Sequence, residues 1–126
     1  MPDKYAVIGN PVEHSLSPAI HAEFARATGQ DITYGKILAP LDGFRDAAFR
    51  FQDEGGKGLN VTLPFKHEAW HLAGVRSGFA LAASAVNTLT FHGSEIIGDN
   101  TDGIGLVRDL TQNLQVPLRG RRVLLM

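Results

Sequence analysis

The chain has 126 residues, of which 44% are hydrophobic and 20% are charged. That length suits one domain, and the apolar content excludes a disordered chain, which lacks the apolar surface needed to offset its ordering entropy. Twelve Lys and Arg against 13 Asp and Glu give a net charge of −1, so no global field draws the chain to nucleic acid or to an anionic membrane. The absence of cysteine excludes disulfides and thiolate chemistry. Without a run of ~18 apolar residues, the sequence predicts a soluble, cytoplasmic protein.

Strands and helices alternate along the sequence. Short apolar or alternating runs predict strands at residues 5–8, 32–38, 59–63, 86–91, 95–97 and 123–126. Apolar residues at helical spacing predict helices at residues 17–28, 42–54, 67–83 and 104–114, and Gly74 and Gly78 are expected to break the third of them. Ser17 and Asp42 are expected to act as N-caps of the first two helices. This alternation predicts an α/β fold with a mostly parallel sheet and helices on both faces.

Polar residues follow several predicted strands, at the edge where open α/β sheets bind ligands. Ser15 and Ser17 border the start of the first helix, where free N–H groups favour an anion. The polar residues on or after later strands are Asn60, Thr62, Lys66, Asn87 and Asp102. Each has a plain structural alternative as a cap, a turn residue or part of a solvated face. Together they suit a small, polyhydroxylated, anionic ligand.

A second pattern is H-E-x-x-H, formed by His67, Glu68 and His71. Zinc proteases carry this pattern on a helix, with both histidines on one face. No further histidine motif follows it, and Trp70 stands between the two histidines. A zinc hydrolase is therefore a minor alternative.

Four motifs taken together resemble one family. Gly9-Asn10-Pro11 with His14-Ser15-Leu16-Ser17-Pro18 resembles the opening signature of shikimate dehydrogenases. The later motifs are similar to the family's other signatures and are Asn60–Lys66, Ala85–Leu89 and Gly98–Gly103. Any one of them is weak evidence, but all four occur in the family's order and spacing.

The resemblance implies the substrate-binding domain of a two-domain dehydrogenase whose Rossmann domain is missing here. It implies a shikimate-binding α/β domain at residues 1–103, a linker helix at 104–117 and the first strand of a truncated NADP-binding domain at 118–126. The full-length enzyme would interconvert 3-dehydroshikimate and shikimate with NADP, on the route to chorismate and the aromatic amino acids. The resemblance implies that the fragment itself is inactive, because the family's glycine-rich dinucleotide loop follows the strand that begins at Val123. Gly103-Ile104-Gly105 is no substitute, since Arg108 stands where the third glycine belongs.

The resemblance also assigns roles to residues. Lys66 and Asp102 would be the catalytic pair. Ser15 and Ser17 would bind the substrate carboxylate, and Thr62, Asn87 and Asp102 would hydrogen-bond the ring hydroxyls. The substrate-binding set that it implies is Ser15, Ser17, Asn60, Thr62, Lys66, Asn87, Thr101 and Asp102. The chain departs from the family at Ser84, where glycine is usual, and in the stretch 75–79, which lacks the common acidic helix start. Both departures touch the scaffold near Asn87.

Three alternatives stay open at this point. Quinate could replace shikimate as substrate, and the residues that choose NADP over NAD are absent from the chain. A non-catalytic carboxylate-binding module would use the same polar set without redox chemistry. No nucleic acid or membrane partner is expected, and a homodimer is an open possibility.

Overall fold

The structure is a computed structural model that describes all 126 residues. Its strands are β1 (Asp3–Gly9), β2 (Ile32–Leu38), β3 (Gly56–Val61), β4 (Val75–Arg76), β5 (Thr88–His92) and β6 (Glu95–Asp99). Its α-helices are α1 (Ser17–Thr28), α2 (Phe44–Asp53), α3 (Lys66–Leu72), α4 (Gly78–Ala83) and α5 (Asp102–Arg108). A π-helical turn at Asp109–Asn113 continues α5, and none of these helices is both long and apolar enough to cross a membrane.

The strands form one mixed sheet in the order β2-β1-β3-β5-β6-β4. β1 pairs in parallel with β2 and β3, and β4 pairs in parallel with β6. β5 runs antiparallel to both β3 and β6. Three of the five pairings are parallel, which confirms the predicted mostly parallel sheet.

One face of the sheet carries the hydrophobic core. Side chains alternate between the two faces of a strand, so Ala6 and Ile8 of β1 face the same side as Leu59 and Val61 of β3. All four are at most 3% exposed and belong to one buried cluster. Helices α2 and α3 cover this face of the sheet. Each large apolar side chain that is fully buried there stabilises the fold by ~1.5–3 kcal/mol.

The opposite face carries polar and aromatic side chains. Tyr34 of β2 and Asn60 of β3 lie there and line a shallow cavity of about 250 Å³ with His21 of α1. The His21 ring stacks on the Tyr34 ring with centroids 4.3 Å apart. α1 contains no fully buried residue, so it covers this face only in part. Helices therefore lie on both faces, as predicted, but the core lies on one.

The predicted helix at residues 67–83 is broken at Gly74, as expected, but the break contains a short strand where none was expected. The structure ends α3 at Leu72, inserts β4 at Val75–Arg76 and begins α4 at Gly78. The backbone N–H of Gly74 donates to the carbonyl of Ile96, and that of Ser77 donates to the carbonyl of Gly98. Pairing with β6 therefore replaces the helical hydrogen bonds in this stretch.

Both predicted N-caps are wrong. Leu16 is the N-cap of α1, and Ser17 is its first residue. The Ser15 hydroxyl instead accepts a hydrogen bond from the Ser17 N–H, over 3.2 Å. Gly43 is the N-cap of α2, because the turn from Pro40 places Gly43 rather than Asp42 at that position.

The C-terminal segment agrees with the prediction only in part. The predicted helix at 104–114 is present as α5 and the π-helical turn, which ends at Asn113. No strand forms at residues 123–126, whose side chains are exposed. A strand needs a hydrogen-bonded neighbour, and no strand of the sheet lies beside this segment.

Candidate active site

An amine and a carboxylate meet where two helices begin. Lys66 is the first residue of α3, and Asp102 is the first residue of α5. The Lys66 Nζ donates to Asp102 Oδ2 over 2.7 Å, and the two side chains are 32% and 53% exposed. An ion pair this exposed is worth at most ~1 kcal/mol to stability, so stability alone does not explain its position.

Buried neighbours fix the position of each helix start. Phe65, directly before Lys66, is fully buried and stacks on Phe44 with centroids 5.1 Å apart. Before Asp102, the buried Asn100 donates from Nδ2 to the carbonyl of Ala85 and accepts from the Asp102 N–H. The buried residues Phe65 and Asn100 therefore fix the backbone at Lys66 and Asp102, while the charged groups of the pair reach solvent.

Asn87 links the pair to the sheet. Its Nδ2 donates to Asp102 Oδ1 over 3.1 Å and to Thr101 Oγ1 over 2.8 Å. Its Oδ1 accepts from the Thr101 N–H and from the Thr88 hydroxyl, both over 3.0 Å. Its backbone bonds to Val61 on one side and to Asp99 on the other. Both ends of this amide are fixed, so Asn87 is firmly placed despite the departures from the family nearby.

The hydrogen bonds continue across the sheet to Tyr34. Asn60 Nδ2 donates to Thr88 Oγ1 over 3.3 Å, and the Tyr34 hydroxyl donates to Asn60 Oδ1 over 2.6 Å. The donors thus run in one direction, from Tyr34 through Asn60, Thr88 and Asn87 to the carboxylate of Asp102. Chains of hydrogen bonds that point one way polarise one another. We call these five residues with Lys66 and Thr101 the amide network.

The chemistry of Tyr34 suits its place at the start of this network. Burial raises the pKa of Tyr34 to about 12, while the Ser17 side chain beside it acts in the opposite direction. The phenol therefore stays protonated and can donate to Asn60 throughout the neutral pH range.

Two further predicted residues lie around a small cavity. Ser15 and Thr62 line a space of about 220 Å³ together with His14, Pro11 and Val12. The Thr62 side chain packs directly on the Cα of Gly9, where a Cβ would collide with Thr62 Cγ2. Gly9 therefore lets the loop after β1 approach the end of β3. We call the segment 14–17 together with Thr62 the serine loop.

The structure brings together most of the predicted site. Five of the eight predicted residues belong to the amide network, namely Asn60, Lys66, Asn87, Thr101 and Asp102. Ser17 touches this network at Tyr34, whereas the side chains of Ser15 and Thr62 form no hydrogen bond with it. Sequence reasoning missed Thr88 and Tyr34. Thr88 stands inside the Ala85–Leu89 motif, and its pairing opposite Asn60 follows from the β3–β5 register.

Two other sequence patterns do not form the sites that they suggest. His67 and His71 lie together on α3, but no group of three His, Cys, Asp or Glu side chains is assembled in the chain. Catalytic zinc sites use three protein ligands, so the zinc-hydrolase alternative lacks one. Gly103 and Gly105 lie inside α5 and form no loop that could cradle a dinucleotide.

Comparison with known proteins decides the family. The profile of the family described as shikimate dehydrogenase substrate binding domain matches residues 7–89. The chain belongs to this family. The resemblance that its four motifs indicated is thereby confirmed, and every member of the amide network except Tyr34 lies on one of three of those motifs.

Curated relatives agree with this assignment. The shikimate dehydrogenase (NADP(+)) of Aromatoleum aromaticum is 61% identical over 124 residues, which are 98% of this chain and 44% of that protein. The shikimate dehydrogenase (NADP(+)) of Nitrosospira multiformis is 60% identical over 126 residues, which are 100% of this chain and 46% of that protein. The chain therefore spans a little under half the length of the curated relatives it matches.

Solved structures share the fold. The crystal structure of an Ael1 enzyme from Pseudomonas putida superposes with a TM-score of 0.91 at 50% identity, covering 95% of this chain and 44% of that one. Shikimate 5-dehydrogenase from Thermus thermophilus, in complex with NADP(H) and shikimate, gives a TM-score of 0.83 at 31% identity. That match covers 91% of this chain and 43% of the other. These matches confirm the predicted fold class.

Proposed function

We propose that this chain is the substrate-binding part of an NADP-dependent shikimate dehydrogenase. The observation that carries the proposal is the pairing of the Lys66 amine with the Asp102 carboxylate at 2.7 Å, inside a network of family-motif amides and hydroxyls. Relatives that are about 60% identical have that activity in their names. The full-length protein would reduce 3-dehydroshikimate to shikimate, a step toward chorismate.

The serine loop supplies hydroxyl donors for the substrate carboxylate. The Ser15 oxygen accepts from the Ser17 N–H, which leaves its own proton free for a ligand. Ser17 opens α1, where the helix dipole adds favourable potential for an anion. Thr62 lines the same cavity as Ser15 and makes no side-chain hydrogen bond within the chain. Free donors in a small polar cavity suit an anionic group.

The amide network supplies the ring-hydroxyl contacts and the proton. We assign the ring hydroxyls to Asn60, Asn87, Thr101 and Asp102, together with Thr62 of the serine loop. Their amides and hydroxyls both donate and accept hydrogen bonds, whereas the carboxylate only accepts. During reduction, the bound cofactor would supply the hydride for the carbonyl carbon, and Lys66 gives a proton to the carbonyl oxygen. In the reverse direction, Lys66 with Asp102 takes the hydroxyl proton. The network holds both groups in place before substrate arrives.

We propose that the cofactor is held outside the residues described here. When bound, NADPH would donate the hydride for reduction and NADP⁺ would accept it in the reverse direction, but the glycines of α5 form no loop that could hold either. We propose the division predicted from the resemblance, with a shikimate-binding domain at 1–103, a linker helix at 104–117 and the start of the NADP-binding domain at 118–126. Shikimate and 3-dehydroshikimate are the proposed ligands, in a cytoplasmic enzyme that binds no nucleic acid or membrane. A sedimentation measurement decides between monomer and homodimer.

Two measurements test the proposal. The full-length protein should oxidise shikimate with NADP, and quinate should be oxidised with a lower kcat/KM. The chain of 126 residues should bind shikimate without turnover. Full-length protein that binds shikimate but never oxidises it would support the carboxylate-binding module instead. A lack of shikimate binding by both forms would contradict the proposal as a whole.

A further inference from the structure

Two histidines on α3 point at each other outside the amide network. His67 and His71 are one helical turn apart, and both side chains are exposed. Their Nε2 atoms lie 3.2 Å apart, with the rings nearly perpendicular at 85°. Two nitrogens that bind one tetrahedral Zn²⁺ at ~2.0–2.1 Å lie roughly 3.3–3.4 Å apart. The observed spacing is therefore close to that of two ligands of a single ion.

A backbone carbonyl fixes which nitrogen of His67 is available. Its Nδ1 lies 3.2 Å from the carbonyl oxygen of Ser84. A carbonyl only accepts, so Nδ1 carries the proton and donates it, which leaves the lone pair on Nε2. Metal-binding histidines usually donate their second ring N–H in this way, because the hydrogen bond orients the ring and raises its basicity. The lone pair on the His67 Nε2 is therefore available to bind a metal ion.

The helix that carries the pair is held rigidly. Ala69, between the two histidines, is fully buried in the core. Trp70 packs against both rings, with centroids 6.3 Å from His67 and 5.0 Å from His71. The Arg76 guanidinium lies over the Trp70 ring, 3.8 Å from its centroid, and the Arg76 Nε donates to the Trp70 backbone carbonyl. The backbone that presents the histidines therefore does not depend on a ligand.

We propose that His67 and His71 form a two-histidine site for a divalent first-row transition metal. Imidazole nitrogens suit Cu²⁺, Ni²⁺ and Zn²⁺, whereas Mg²⁺ and Ca²⁺ require oxygen ligands. The site binds Cu²⁺ most tightly, following the general order of affinities for such metals. Because no third protein ligand is assembled here, water completes the coordination and the site is open. Without metal, the His71 Nε2 donates its proton to the lone pair of the His67 Nε2. Binding moves the His71 proton to Nδ1, since the His71 Nε2 then holds the ion.

The chain contains its own reporter for this site. Trp70 is the only tryptophan, and its ring lies against both histidines. Cu²⁺ bound at the pair should quench the Trp70 emission, and a chelator should restore it. Zn²⁺ in large excess should also restore emission by displacing the more tightly bound Cu²⁺, whereas Mg²⁺ should have no effect. The titration is made on the full chain of 126 residues.

Substitutions of His67 and His71 test whether the quenching of Trp70 emission comes from Cu²⁺ bound at these two residues. His67→Gln and His71→Gln should each weaken Cu²⁺ binding about tenfold or more, since each removes one of two protein ligands. His92→Gln is the matched control, because His92 is also exposed but lies on β5. Circular dichroism verifies that each variant is folded. Unchanged Cu²⁺ quenching in both α3 variants, or an equal loss in His92→Gln, would overturn the proposal, as would the absence of any binding by the unaltered chain.

Discussion

The amide network and the serine loop are held in opposite ways. In the network, Asn87 alone makes four hydrogen bonds to its neighbours, and each further member bonds to another member. In the serine loop, Thr62 makes no side-chain hydrogen bond, and Ser15 makes one, as an acceptor. The network is thus organised before a ligand arrives, whereas the loop keeps the hydroxyl protons of Ser15 and Thr62 free. This difference suits one region to proton transfer, which needs fixed geometry, and the other to anion binding.

The strongest test of the network side is Lys66→Ala in the full-length protein. We expect kcat and kcat/KM to fall together by roughly 10²–10⁴-fold, because general acid–base groups contribute about that much in the transition state. KM should change little, since Asp102 and Asn87 keep their contacts with each other. Steady-state kinetics with shikimate and NADP measure both constants.

Lys66→Arg is the control for charge in this test. A guanidinium can pair with Asp102 but cannot release its proton near neutral pH. We expect Lys66→Arg to fold and to bind shikimate without recovering the lost rate. Recovery of most of the activity by arginine would show that Lys66 acts through charge alone.

The serine loop is tested by Ser15→Ala and Ser17→Ala. Each should weaken shikimate binding by roughly 10–150-fold, because a hydrogen bond to a charged group is worth ~1.5–3 kcal/mol. The two should differ in stability. Ser15→Ala removes the acceptor for the Ser17 N–H and should cost about 1 kcal/mol, whereas Ser17 caps nothing with its side chain. Calorimetric titration and urea denaturation provide the two readouts.

A shikimate analogue without the carboxylate is the control for the serine loop. Its affinity should be nearly the same for both serine variants and for the unaltered chain. If the serine variants lose as much affinity for the analogue as for shikimate, these serines do not bind the substrate carboxylate.

The order of elements was predictable, since the apolar periodicity of residues 32–38 and 17–28 is strong and ends at clear signals such as Gly29. β4 was not predictable, because two residues carry no periodicity and their pairing partner on β6 lies 22 positions further along the chain. The N-cap of α1 was misassigned by one residue. Backbone angles at Leu16, rather than residue preference, place the helix start there.

Residues of the candidate site were easiest to predict together where one motif contains several of them, as with Thr101 and Asp102. Lys66 and Asp102 lie in separate motifs, and the resemblance rather than any pattern of spacing paired them. Tyr34 lies in no motif, and its bond to Asn60 depends on how β2, β1 and β3 are aligned. That alignment is a property of the folded sheet, which a single sequence does not reveal.

Tyr34→Phe tests whether the far end of the network contributes to stability. Loss of its hydrogen bond to Asn60 should cost about 1 kcal/mol near neutral pH. The fold holds the Tyr34 pKa at about 12, above the ordinary 10.0, so the unfolded chain releases this proton first. The stability that Tyr34 contributes is therefore complete below pH 10 and is lost as the pH rises toward 12. Urea denaturation across that range measures the loss.

Tyr5→Phe is the matched control for Tyr34. Tyr5 lines the same cavity, but its hydroxyl makes no hydrogen bond within the chain. Between pH 10 and 12, the part of the stability loss due to Tyr34 should disappear in Tyr34→Phe and persist in Tyr5→Phe. Identical behaviour of the two variants would show that Tyr34 does not support the network.

The smallest expected effect concerns Ser84, three residues before Asn87. Ser84 ends α4 with a φ of 50° and a ψ of 34°, a left-handed conformation that costs a non-glycine residue roughly 1–2 kcal/mol. Ser84→Gly removes that strain but gives the unfolded chain more freedom, worth ~0.4–1 kcal/mol. We expect a net gain of under about 1 kcal/mol by urea denaturation. Ser94→Gly, at an exposed turn without positive φ, should instead lower stability. A loss in both variants would mean that Ser84 stores no strain beside the network.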